Sequence, residues 1–325
     1  MEISRRRLLQ AGSSAAAVVL NSRPMWAQTY PARPVRILVG FPAGGLTDIA
    51  ARLIGQQLSV KLGQQFLVEN RPGAGSNIAT EAALLAAPDG YTLLLATPLN
   101  AINASVYKKL NFNFMRDAAP VATIVDAAFV LETHPSVPAK TVTELVAYAK
   151  ANPGRLKMAS AGTGSPEHVA GELFMMATGV TMLHVPYRGS GEYLVDLVAG
   201  HVQIVIGPVA PSMQYIRTGA LRALAVTTAA PSPALPGVPP INTVLPAFEL
   251  SAWQGLCAPK GTPEPVIATL NNAVNAALAD PALQARFAGL GATIHPSSPS
   301  AFASLIAADT AKWAKVVKFA DIKID

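Results

Sequence analysis

Cysteine is almost missing from this chain. Cys257 is the single one in 325 residues, so no intramolecular disulfide can form and stability must come from packed cores. The five histidines, His134, His168, His184, His201 and His295, contain no H-x-x-x-H pair and have no cysteine cluster to join, so no metal centre is expected. Charged residues make up only 14% while hydrophobic ones reach 51%, a balance that buries large cores and excludes a disordered chain. The phosphate-cradling P-loop pattern is absent, and so is the G-x-S-x-G nucleophile elbow. Gly73-Ala-Gly75 stops short of the third glycine of a dinucleotide fingerprint, so no cofactor is expected. The formal charge of +6 is scattered rather than clustered, which gives nucleic acid no footing.

What is present begins with an address. Ser4-Arg5-Arg6-Arg7-Leu8-Leu9-Gln10 is a basic segment with a twin-arginine look, followed by a weakly apolar run from Ala11 to Leu20 and a small-residue cleavage candidate at Met25-Trp26-Ala27. The run is too short and too rich in Gly and Ser to cross a membrane, so residues 1–27 read as an export signal and the mature chain as a periplasmic protein. With no Cys after the run, no lipid anchor is expected. Removing it takes away four Arg and one Glu, a net +3, so +6 becomes +3.

The mature chain is organised around Val35 to Leu58. Val35–Gly40 alternates like a strand, and Ile49, Leu53, Ile54 and Leu58 recur at helical spacing. Thr47 is the expected N-cap, with Asp48 in the first turn. Between them Pro42-Ala43-Gly44-Gly45 is nearly free of side chains, and such a turn leaves helix N-terminal N–H groups open to an anion such as a carboxylate. Strands at Phe66–Glu69 and Tyr91–Ala96 flank a helix at Ile78–Ala87, and Thr97–Asn103 reads as a polar loop. A strand-rich stretch covers Pro120–Glu132, and Thr141-Val-Thr-Glu144 has the form of a capping box. A second αβ series runs from Leu156 to about Thr228, and the tail helices read as structural, with Trp253 and Trp313 as core. The pattern predicts lobe 1 from residues 28–105 plus 229–325 and lobe 2 from 106–228. The loops at Phe41, Arg71, Thr97, Ser160 and Tyr187 then meet at one cleft.

Phe41-Pro-Ala-Gly-Gly-Leu-Thr-Asp48, Glu69-Asn-Arg-Pro-Gly-Ala-Gly75, Asp89-Gly-Tyr91, Ser160-Ala-Gly-Thr-Gly-Ser165 with His168, Gly171-Glu-Leu-Phe174, His184-Val-Pro-Tyr187 and Ala258-Pro-Lys-Gly-Thr-Pro263 resemble the Bug family. These are extracytoplasmic solute receptors of tripartite tricarboxylate transporters, and the resemblance runs through essentially the whole mature chain. It implies an α/β type II periplasmic-binding-protein fold, with two α/β lobes joined by two crossover strands and a ligand cleft between them. In that family the first loop clamps a ligand carboxylate through backbone N–H groups and ordered water. Position by position, the resemblance implies ligand contacts at Pro42, Ala43, Gly44, Asp48, Thr97, Asn103, Ser160, Gly164, Ser165 and His168, with Tyr187 and Asp196 for the far end. It also implies partners: a small carboxylate, the membrane permease subunits, or a sensor kinase in place of transport. Gly191-Glu192-Tyr193 departs from the family's small-residue stretch near the cleft.

Chemistry offers one competing reading. Ser165 and His168, three apart at a helix start, suggest a nucleophile and base, and an exported hydrolase or lyase could use Ser165, His168 or Asp48. A capping role for Ser165 accounts for the same spacing without catalysis, so no enzyme is expected. Arg71 and Arg188 are the strong cations of the cleft loops, either able to pair with a second carboxylate. The ligand itself stays open among acidic amino acids, di- and tricarboxylates, and aromatic acids.

Overall fold

The computed structural model describes residues 30–324 except 247 and 249; the export signal expected over residues 1–27 lies outside them. Strand β1 (Val35–Val39) enters helix α1 (Leu46–Leu62), which a left-handed Gly63 closes. Strand β2 (Phe66–Asn70), α2 (Asn77–Leu84), β3 (Thr92–Ala96), α3 (Pro98–Val106) and the single turn α4 (Phe114–Asp117) follow. The 16-residue β4 (Ala118–Thr133) then leads to α5 (Val142–Ala151), β5 (Lys157–Ser160), α6 (Pro166–Thr178), β6 (Leu183–Pro186), α7 (Ser190–Val198), β7 (Ile204–Pro208), α8 (Val209–Arg217) and β8 (Arg222–Val226). Strand β9 (Ser251–Pro259), α9 (Glu264–Leu278), α10 (Pro281–Gly289), β10 (Ala292–Ile294) and α11 (Pro299–Phe319) complete the described chain.

Thr141 caps α5 by accepting the Glu144 N–H, as the box pattern predicts. Two expectations need correction. The cap of α1 is Gly45 rather than Thr47, so the helix opens two residues earlier on a position without a side-chain cap. Thr97–Asn103 is not a loop but the start of α3. Pro98 fills the first helical position, where its missing N–H costs nothing, and the Asn100 side chain folds back onto the Thr97 N–H at 2.8 Å. The asparagines that suggested a loop serve as caps and ties, which offsets their weak helix propensity.

The sheet order is β2-β1-β3-β9-β4-β7-β5-β6, with β8 and β10 also pairing β4. β1 is parallel to β2 and β3, and β5 is parallel to β6 and β7. β4 runs antiparallel to β9 over Ala118–Ala128 and to β7 over Phe129–Thr133. One strand therefore serves two sheets, changing partners between Ala128 and Phe129. Val35, Ile37, Ile54, Leu58, Leu93 and Leu256 centre the core of the first half, and Leu131, Met158, Phe174, Ile204 and Ile206 that of the second. Helix α11 joins both: Phe302 and Ile306 pack with Leu38 and Trp253, while Trp313, Val316 and Val317 pack with the second core.

The change of partner is held by Thr227, which is fully buried. Its N–H donates to the Phe129 carbonyl at 2.9 Å, and its hydroxyl accepts the Phe129 N–H at 3.2 Å and donates to the Leu250 carbonyl at 2.6 Å. The two crossing segments are thus tied at one side chain. Thr227→Val keeps the shape and removes the hydroxyl, so it should cost about 1–3 kcal/mol of stability in urea unfolding by leaving buried backbone groups unpaired.

Within β4, Glu132 is also fully buried and accepts the Ser212 hydroxyl at 2.5 Å. Burial pushes its pKa up to about 8, with the Ser212 hydrogen bond acting in the opposite direction. A raised carboxyl pKa favours folding fully below the unfolded value and loses that contribution as pH rises through the folded one. Stability should therefore fall between about pH 4.5 and 8 by up to about 1.4 kcal/mol per pH unit. Urea melts of Glu132→Gln across that range should lack this slope.

Candidate functional site

Three helix starts face one cavity of about 530 Å³ between the two sheets. Leu46 and Thr47 come from α1, Thr97, Pro98 and Leu99 from α3, and Ser165, Pro166 and Glu167 from α6. The opening N–H groups of a helix have no intrahelical partner and carry its positive dipole end, so their convergence favours an anion without a buried cation. Phe41, Ile102, Phe129, Leu250, Trp253, Trp313 and Ile324 supply apolar walls. Asn103, Tyr107, Thr163 and Gln254 add polar groups, and the charged side chains lining it are Glu167 and Arg188.

Each helix start is set by a local device. Asp48, 3% exposed, accepts the Gly44 N–H at 2.9 Å, the Asn70 amide at 2.9 Å and Arg52 Nε at 3.1 Å. Asn70 also donates to the Phe41 carbonyl. Burial alone would raise the Asp48 pKa; the hydrogen bonds from Arg52, Gly44 and Asn70, with the Arg52 charge, outweigh it and hold the carboxyl below its ordinary value. Gly44 has φ +91°, a region that disfavours any side chain, which is why this tight turn is built on glycine. On α3, Asn103 donates to the Gly75 carbonyl at 2.7 Å and to Asn77 at 2.9 Å, tying the second glycine-rich loop to the helix.

The α6 start is braced by two stacked imidazoles. The His168 and His184 rings lie 3.7 Å apart and nearly parallel. His168 Nδ1 accepts the Gly164 N–H at 3.0 Å, so its proton sits on Nε2, facing Glu172 at 3.4 Å. Burial, then the neighbouring His168, pushes the His184 pKa down to about 4, and its Nε2 lies 2.6 Å from Ser160 Oγ. Ser165 caps α6 by accepting the His168 N–H at 3.3 Å, and its side chain hydrogen-bonds the Glu167 carboxyl. The imidazole is thus engaged by the loop rather than by the Ser165 hydroxyl, and the spacing that suggested a nucleophile and base is that of a cap. Gly164, at φ +76°, lets the loop approach α3 closely; a Cβ there would meet Val106 at 3.2 Å and Ile324 at 3.1 Å.

Of the residues singled out in the sequence, Thr97, Asn103, Gly164 and Ser165 line the cavity. Pro42, Ala43 and Gly44 form the exposed turn between the lining residues Phe41 and Leu46. Asp48, Ser160 and His168 stand behind the wall and position it. Tyr187 and Asp196 pair with each other at 2.6 Å outside the lining. Arg188 lines the cavity, whereas Arg71 pairs with Glu69 at 2.9 Å. Sequence reasoning missed Leu46, Tyr107, Phe129, Glu167 and Gln254, and it took Trp253 and Trp313 for core alone. Both tryptophans are buried, and both also face the cavity. Glu167 had a local signal, a charge just inside a Pro-started helix; Phe129, Gln254 and Trp313 had none.

The family model described as "Tripartite tricarboxylate transporter family receptor" matches residues 50–322. Protein BugT of Bordetella pertussis is 38% identical over 305 residues, covering 93% of each chain. Among solved structures, R. palustris Rpa4515 with adipate is 35% identical with a TM-score of 0.78, over 91% of this chain and all of that one. MatC from Rhodopseudomonas palustris with bound malate is 32% identical with a TM-score of 0.74, over 89% of this chain and all of that one.

Asp48→Ala should cost about 1–3 kcal/mol of stability by unpairing buried groups, and it should raise the hydrogen-exchange rate of the Gly44 amide. Because a depressed carboxylate pKa contributes stability above the ordinary value and loses it as pH falls through the folded one, this difference from wild type should close in acid.

Proposed function

Since the chain belongs to the tripartite tricarboxylate transporter receptor family, we propose that it captures a small carboxylate in the cavity between its sheets, closes on it, and hands it to the membrane permease of such a transporter. The observation that carries the reading is the convergence of three helix starts on one apolar-walled cavity. Neutral donors of this kind hold a carboxylate by charge-assisted hydrogen bonds. Adipate and malate, named with the two solved relatives, support the ligand class.

In this reading the lobes comprise residues 28–105 plus 229–325 and residues 106–228, and β4 with the Thr227–Leu250 crossing forms the hinge between them. Pro42, Ala43, Gly44, Thr97, Asn103, Gly164 and Ser165 contact the ligand, while Asp48, Ser160 and His168 position the loops that do. Tyr187 and Asp196 lie outside the lining, next to the lining residues Ala161 and Arg188, and closure carries them to the far end of the ligand. Cleavage near Ala27 releases the mature receptor into the periplasm, and its action is binding coupled to closure, without covalent chemistry. The engaged imidazole of His168 supports that part.

A thermal-shift screen of the exported protein against mono-, di- and tricarboxylates, acidic amino acids and aromatic acids tests the reading. A ligand at about 100 times its dissociation constant should add about 2.7 kcal/mol of stability, seen as a clear rise in melting temperature. A flat panel with no co-purified acid detected by mass spectrometry would sink the carboxylate assignment. Turnover of a bound acid that Ser165→Ala abolishes would make the protein an enzyme instead.

A further inference from the structure

Four residues that line the cavity carry buried polar atoms without a hydrogen-bond partner: Thr97 Oγ1, Glu167 Oε2, Gln254 Oε1 and Trp313 Nε1. All four residues are more than nine-tenths buried. Their chemistry is unequal. Trp313 offers a donor and Thr97 can act either way, but Gln254 Oε1 and Glu167 Oε2 are acceptors awaiting a donor. A dicarboxylate brings acceptors only. It would satisfy the indole and the helix starts, and leave both of these oxygens facing more oxygen.

Charge points the same way. Arg188, exposed at the rim, is the cation lining the cavity, and Glu167 is the anion. With Glu167 ionised, a ligand with two carboxylates would set three negative groups against one cation. Glu167 is held by the Ser165 side chain and its own N–H on one side, and burial raises its pKa against them. An ammonium or hydroxyl from the ligand supplies the donor that burial denies it.

We propose that Glu167 is a specificity-determining residue. The cavity takes an acid with one carboxylate and, at its other end, a hydrogen-bond-donating hydroxyl or ammonium group, and it discriminates against the matching dicarboxylate. The proposal rests on the receptor reading above and narrows its ligand class. Buried groups built to meet a donor reject analogues that lack one more strongly than apolar pockets reject a size change.

Calorimetry on the full chain with two matched series tests it: adipate, 6-hydroxyhexanoate and 6-aminohexanoate, and terephthalate, 4-(hydroxymethyl)benzoate and 4-(aminomethyl)benzoate. In whichever series fits the cavity, a donor-bearing acid should bind at least about tenfold more tightly than the dicarboxylate. Glu167→Gln, which removes the charge and brings a donor of its own, should bring that ratio to within about twofold; Glu167→Ala serves if the first variant does not fold. Equal or tighter binding of the dicarboxylates by wild type, as a protonated Glu167 donating to a second carboxylate would produce, overturns the proposal and leaves the receptor standing. A preference unchanged in the variants overturns the role of Glu167. Failure of all six to bind, with the wider carboxylate screen also flat, would remove the receptor reading and this inference with it.

Discussion

A single strand that changes partners is the constraint on which the rest of this structure depends. β4 gives its first eleven residues to β9 and its last five to β7, so the two sheets share a backbone and cannot drift apart. The segment returning from β8 meets it at the changeover, where Thr227 bonds Phe129 and Leu250. Because buried backbone groups must be paired, the crossing is narrow and well defined. In the proposed receptor, flexing this crossing would tilt one sheet against the other, the motion that opens and closes a cleft.

Everything that faces the cavity follows from that geometry. Parallel strands deliver their helices at their C-terminal ends. The first sheet therefore presents the starts of α1 and α3 to the junction, and the second presents the start of α6. The side chains that make these turns stable are not the ones in the cavity. Asp48, Asn70, Ser160, His168 and His184 spend their hydrogen-bonding capacity on backbone, on one another and on Arg52 and Glu172. What they leave to the cavity is N–H groups, apolar walls and a few unpaired polar atoms. Such a wall binds anions without a fixed countercharge, so small changes among lining residues such as Glu167 can retune which acid fits.

How far the sequence could be read follows from range. The strand–turn–helix at Val35–Leu58 was legible because its alternation, its glycines and its helical spacing lie within 24 residues. Ser165 could be recognised as a cap from the residues beside it. The same local reading failed at Thr97–Asn103, where the asparagines look like loop residues until Thr80, Gly75 and Asn77 appear as their partners from far along the chain. The tail was misjudged for a related reason. Trp313 belongs to a helix whose pattern shows only that one face is buried, not that the buried face ends at a cavity.

The sequence by itself determined the α/β alternation, the glycine-rich turns at strand ends, the dependence on cores rather than disulfides, and the family. Each of these is written in short-range periodicity, in turn chemistry or in motifs kept in order. Only the tertiary structure decided which of the marked residues reach the cavity and which stand behind it. It also brought Gln254 and Trp313 to the same cavity as Thr97 and Glu167. Those placements depend on pairing between β4, β9 and β7 and on α11 packing across both cores, contacts made over long separations that no local pattern encodes.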